Sequence, residues 1–190
     1  MKLDRKTIEY DEEYLRQIST DVDFENDDYK DYINKLKDYC DTHVVYSMAP
    51  VQIGIPKRII YIKNTKQNME NNEKDYNENV VYINPVIIKE EGKTKFLEGC
   101  ESCVYKENDR MIYYTCEVER PYSIEFEYYD IDGKKNTKTI KGFETTVFYH
   151  EYDHLNGILH MDKASEIFKM TADEMKAYRS SHPYEIISED

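Results

Sequence analysis

The run TTVFYHEYDHLNGILH constrains this chain more than any other, because it sets His150 and His154 four residues apart with Glu151 beside the first. On an α-helix that spacing puts both imidazoles on one face, a turn from each other, where they can share an ion. Glu151 is then placed to reach a water on that ion and to move its protons. Phe143, Val147 and Phe148 give the segment an apolar side to bury. Asn156-Gly157 supplies residue types that accept left-handed backbone at a helix end. The motif helix is expected over about Glu144–Leu155, and the remaining elements have to pack around it.

Most of those elements are strands. Arg58–Lys63 (RIIYIK) reads as one, and Val80–Lys89 (VVYINPVIIK) as two with a break at Pro85. Thr94–Val118 has a β pattern with loops. Ser123–Asp130 alternates, and the Asp132-Gly133 turn leads to a return strand at Asn136–Ile140. Asp27–Cys40 has helical spacing at Tyr29, Tyr32, Ile33, Leu36, Tyr39 and Cys40. A shorter helical turn is expected over Asp11–Ser19, with Leu15 and Ile18 inward and residues 1–10 peripheral. A last helix is expected from Thr171, which has capping-box spacing with Glu174. Val44–Gly54 is uncharged in a charged chain, so it is buried or lines a pocket, and Pro50 and Pro56 argue against a helix there. Residues 64–79 read as a polar solvated loop and the tail after about 181 as frayed. The sum is a single α+β domain over 1–190, with small antiparallel or mixed sheets around a central HExxH helix.

Composition excludes several classes of function. A net charge of −13 argues against broad binding to nucleic acid, which needs Lys and Arg to neutralise phosphates. No stretch approaches the roughly 20 apolar residues of a membrane span, and the N-terminus lacks the apolar core of a signal peptide. A cytoplasmic protein is expected, with a monomer as the default oligomeric state. Four cysteines in such a chain, Cys40, Cys100, Cys103 and Cys116, are expected as thiols and not as a disulfide framework.

A catalytic metal takes a third protein ligand and keeps one position open for water. Downstream of His154 the candidates are His160, Asp162, Glu166 and Glu174; a zinc protease reading favours Glu174. Upstream, Phe96-Leu97-Glu98-Gly99-Cys100-Glu101-Ser102 offers a thiol next to a glycine. Cys100 and Cys103 with both histidines would make a closed structural zinc site, but residues three apart on an extended strand point to opposite faces. The pairing of Glu98-Gly99-Cys100-x-Ser102 with the HExDHLxG run at His150–Gly157 resembles the signature of peptide deformylases. A third family motif, G-x-G-x-A-x-x-Q, falls on Val45–Gln52 (VYSMAPVQ), with Val45 and Ser47 where the family has glycines. The likeness runs from about Asp11 to Asp162.

The resemblance implies an enzyme that removes the formyl group from N-formylmethionyl nascent peptides. It implies Cys100, His150 and His154 as metal ligands, with ferrous iron in the site and zinc or nickel able to replace it. It implies Glu151 as general acid/base, and Gln52 with the Glu101 backbone N–H as oxyanion donors. By position it gives a substrate-binding set of Tyr46, Ser47, Ala49, Phe96, Glu98, Gly99, Arg120, Phe143, Thr146 and Val147. The alternatives are a divergent deformylase-like protein with altered substrate or little activity, and the zinc protease.

Overall fold

The computed structural model describes residues 4–43, 45–63 and 79–190, with the backbone of two short strands between them, β3 (Lys66–Gln67) and β4 (Lys74–Asp75). Most of the polar stretch 64–79 lies outside the described residues. In chain order the other elements are α1 (Ile8–Leu15), α2 (Tyr29–His43), β1 (Ser47–Met48), β2 (Ile59–Ile62), β5 (Val80–Glu91) and β6 (Lys93–Glu107). They are followed by β7 (Arg110–Arg120), β8 (Ser123–Tyr129), β9 (Lys135–Lys141), α3 (Phe143–Leu155), β10 (Phe168–Met170), α4 (Ala172–Ser181) and β11 (Glu185–Ser188). Two larger antiparallel sheets result, one in the order β1-β2-β5-β8-β9 and the other in the order β10-β7-β6-β11, and β3 pairs with β4 as a separate antiparallel ribbon. Helices and antiparallel sheets in this arrangement make an α+β fold.

α3 sits centrally because its apolar side faces the first sheet. Phe148 and Leu155 are buried with Ile60, Tyr82, Ile124, Phe126 and Ile140, and the Phe126 and Phe148 rings lie 4.3 Å apart. α2 covers the other end of that sheet. Its Ile33, Leu36, Tyr39 and Cys40 pack on Met48, Ile59, Tyr61 and Ile83, which is the stripe its periodicity predicts. A smaller cluster of Leu15, Cys100, Cys103 and Leu159 ties α1 to β6.

Several expectations are corrected. α1 begins at Ile8, inside the stretch read as peripheral, and ends at Leu15, so Ile18 falls beyond it and is 72% exposed. Pro85 does not break β5. Asn84 takes a left-handed φ of 49°, the register shifts between Ile83 and Val86, and pairing with β8 resumes. A bulge leaves room for a residue without an N–H. The Asn84 side chain fixes it by accepting from the Val22 N–H at 2.8 Å and donating to the Val22 carbonyl at 3.1 Å. Pro50 opens a short 3-10 turn over Pro50–Ile53, since a proline is harmless at a first helical position. The tail is paired and not frayed: Glu185–Ser188 form a strand against Lys93–Lys95 of β6.

Gly157 shows how closely α1 and the end of α3 approach. Its φ is +69°, and a Cβ there would stand 2.2 Å from the Arg16 carbonyl oxygen. Both strain and overlap act on any other residue, so Gly157→Ala is expected to lower stability by roughly 2–4 kcal/mol. A urea midpoint shift worth less than about 1 kcal/mol would show that the two segments can separate at little cost.

Candidate active site

β6 and α3 bring the motifs together. On β6 the ladder to β7 is regular from Thr94–Arg120 to Gly99–Thr115, breaks, and resumes at Val104–Tyr113. Cys100 stands at that interruption and faces α3. One ligand atom each from Cys100, His150 and His154 lies within 4.8 Å of the others, and Cys100 Sγ is 3.3 Å from His154 Nε2. The two imidazole centroids are 5.1 Å apart. The neighbouring Cys103 thiol, aided by both imidazoles, holds the Cys100 thiol well below its ordinary range against the effect of burial. Burial lowers His150, but its hydrogen bonds to Cys100 and Glu98 outweigh this and leave it well above the usual imidazole range.

Behind these donors lies a buried ionic network. His150 Nδ1 is 2.8 Å from Glu98 Oε2, which leaves Nε2 for an ion. Glu98 receives a fork from Arg120 at 2.8 and 2.9 Å, and Arg120 also binds Asp153, one turn of α3 beyond His150. Burial works against the Glu98 carboxylate, but the His150 and Arg120 hydrogen bonds dominate and keep it strongly acidic. Glu98, two residues before Cys100 on the strand, and Asp153, between the histidines on the helix, are thus locked to one guanidinium.

Glu151 is buried beside the donors. Ser47 Oγ donates to its Oε1 at 2.7 Å, and Oε2 has no partner among the described residues. Burial pushes its pKa up, and the two imidazoles and Ser47 only partly offset that. Gln52 approaches from the 3-10 turn. Its Oε1 accepts from the Ala49 N–H at 3.0 Å, so the amide nitrogen must face the other way. There Nε2 donates to Ser102 Oγ at 3.1 Å and lies 3.6 Å from Cys100 Sγ.

A cleft of about 290 Å³ opens in front of this group. Of the residues expected to bind substrate, Tyr46, Ser47, Phe96, Glu98, Gly99, Phe143, Thr146 and Val147 line it, as do Gln52 and Glu101. Ala49 and Arg120 do not. Ala49 is fully buried in the core under the 3-10 turn, and Arg120 is spent on Glu98 and Asp153 behind the wall. Sequence reasoning missed Tyr113, Met175 and Arg179, which also line it, as does Val45 of the first motif. Residues of α4 carry no motif, and only their spacing on the capped helix could have pointed to a shared face.

Three of the other ligand candidates are engaged elsewhere, and Glu166 is exposed outside the convergent group. Glu174 caps α4 by accepting from the Thr171 N–H at 2.8 Å, and Asp162 pairs with Arg16 at the surface. His160 is buried with Nε2 donating to the Tyr114 carbonyl at 2.9 Å, and burial lowers its pKa to about 4. Cys103 shares the apolar cluster of Cys100, contrary to the alternation expected, because the ladder interruption breaks the strand's two-residue period. It is not in the convergent group, which among the described residues is Cys100, His150 and His154.

The family model described as "Polypeptide deformylase" matches residues 5–170. The chain is 34% identical to the peptide deformylase of Pelagibacter ubique (strain HTCC1062), over 82% of this chain and 83% of that protein. It is 32% identical to that of Rhizobium meliloti (strain 1021), over 80% of each. Among solved structures, a probable peptide deformylase from synechococcus phage S-SSM7 superposes with a TM-score of 0.69 at 30% identity, covering 86% of this chain and all of that one.

Proposed function

The chain belongs to the polypeptide deformylase family, an enzyme family that removes N-formyl groups from nascent peptides, and we propose that the cleft between β6 and α3 is where it does so. The whole chain acts as one catalytic domain in this reading. The observation that carries it is the convergence of Cys100, His150 and His154 beside Glu151, whose Oε2 has no partner among the described residues.

The donor set fits a small divalent ion. A thiolate and two imidazole nitrogens at these separations suit a tetrahedral site that keeps one position open. Ferrous iron is the ion proposed, and zinc or nickel suits the same donors. Bound there, the ion would act as a Lewis acid toward the formyl oxygen and lower the pKa of water.

The residues divide the remaining work. Glu151 accepts a proton from the attacking water as the water oxygen bonds to the formyl carbon. It returns a proton to the amine nitrogen as the C–N bond breaks, releasing formate and a free N-terminus. Its raised pKa suits a group that must both take and give a proton. Gln52 Nε2 and the Glu101 backbone N–H stabilise the oxyanion that develops between these steps. Phe96, Phe143, Thr146 and Val147 receive the methionine side chain. Ser47 bonds to Glu151, so the departure from glycine in the first motif adds a contact to the catalytic carboxylate.

Formate release from formyl-Met-Ala-Ser by the iron-loaded protein under anaerobic conditions tests this reading. Turnover that a chelator removes and added metal restores is the expected result. Metal bound through Cys100, His150 and His154 without any turnover would shift the reading to a divergent member with another substrate.

A further inference from the structure

Residues 171–190 lie beyond the stretch that the family model matches, 5–170, yet α4 forms one wall of the cleft through Met175 and Arg179. Gly99 lets the helix come this near, since a Cβ there would stand 2.8 Å from Met175 Sδ. Arg179 is fixed at its base. Nε donates to the Leu97 carbonyl at 3.0 Å, and the guanidinium lies 4.9 Å from the Phe96 ring centroid. Phe96 is held in turn by the edge of Phe143 at 5.1 Å.

Glu98 and Glu101 of the cleft wall have other partners, and Glu151 is held on one oxygen by Ser47. Glu98 binds Arg120 and His150, and Glu101 binds Arg5 at 2.6 Å and Tyr113 at 3.0 Å. Arg179 is the one lysine or arginine in the lining, and among the described residues neither Nη nitrogen has an acceptor. A guanidinium stacked on an aromatic ring, with its base satisfied and its outer donors unspent, is pre-organised for a planar carboxylate. Beside it stands Phe96, in the pocket assigned above to the methionine side chain.

Resting on the deformylase reading, we propose that Arg179 is a specificity-determining residue that selects formyl-methionyl peptides with an acidic side chain shortly after the methionine. The bulk charge of −13 repels such peptides, so a preference for them has to arise locally.

The test compares kcat/KM for two isosteric pairs, formyl-Met-Glu-Ser with formyl-Met-Gln-Ser and formyl-Met-Ala-Glu with formyl-Met-Ala-Gln. The wild type should prefer the acid in at least one pair by roughly tenfold, the scale of one charge-assisted hydrogen bond in a half-open cleft. Arg179→Gln should bring that ratio to near one, and Arg179→Lys should keep part of it. A purely structural Arg179 would lower all four peptides together and leave the ratio unmoved, which overturns the proposal. So does equal use of acid and amide by the wild type. Absence of turnover with every peptide would overturn the deformylase reading itself and the proposal with it.

Discussion

A Glu151→Gln variant is expected to hold its metal, lose about 10²–10⁴-fold in kcat, and melt no lower than the wild type. Two observations lead there. The carboxylate is almost fully buried, and only one of its oxygens has a partner among the described residues. Burying a charge with so few hydrogen bonds works against folding, and an amide of the same shape removes that charge. Its oxygen still accepts from Ser47. Stability should therefore hold or rise while proton transfer fails, the pattern of a group kept for chemistry at the expense of the fold. Calorimetry and metal analysis on the same sample as the formate assay check it. A melting temperature well below the wild type's, with activity lost in proportion, would mean that Glu151 is chiefly structural.

Arg120→Met is expected to be the most damaging change for stability, at about 3–5 kcal/mol. The side chains of Glu98 and Asp153 are each 4% exposed, and both are paired with this guanidinium. Removing it leaves two buried carboxylates with only His150 beside Glu98 and the half-exposed Lys163, whose Nζ is 3.7 Å from Asp153. Glu98 would lose the fork that aims it at His150 Nδ1, so metal affinity should fall about 10–100-fold as well. Denaturant unfolding and metal titration read the two effects separately. A loss of under about 1 kcal/mol would show that water reaches these acids and that the network is not closed. Arg120→Lys keeps the charge without the fork, so it should recover part of the stability and less of the affinity.

The centre of this molecule was legible because its signals are local and chemical. The four-residue histidine spacing fixed α3, and a thiol beside a glycine marked the facing strand. The amphipathic stripe of α2 and the Asp132-Gly133 hairpin were equally direct. What was not legible depends on tertiary partners. Glu185–Ser188 read as polar tail because a four-residue strand has no stability without the β6 edge that receives it. Arg120, placed by resemblance among substrate contacts, turned out to bind two acids at positions 98 and 153 whose nearness no spacing reveals. Met175 and Arg179 reach the cleft because Gly99 leaves room for them. Cys103 misled in a different way: the two-residue alternation of a strand holds only while the ladder is unbroken, and β6 breaks where the site is built.

The separation of the proposed donors along the chain also bears on how the protein would acquire an ion there. His150 and His154 are neighbours on one helix, but Cys100 lies 54 positions before His154, on a strand in the other half of the fold. An isolated helix offers only two imidazoles, so the complete donor set exists only after β6 has docked against α3. Metal uptake at the proposed site would then be a late event in folding and would report that docking directly. On that reading a chain still emerging from synthesis would hold the ion weakly until its last third is made, and the ion, once bound, would resist any opening that parts the sheet from the helix.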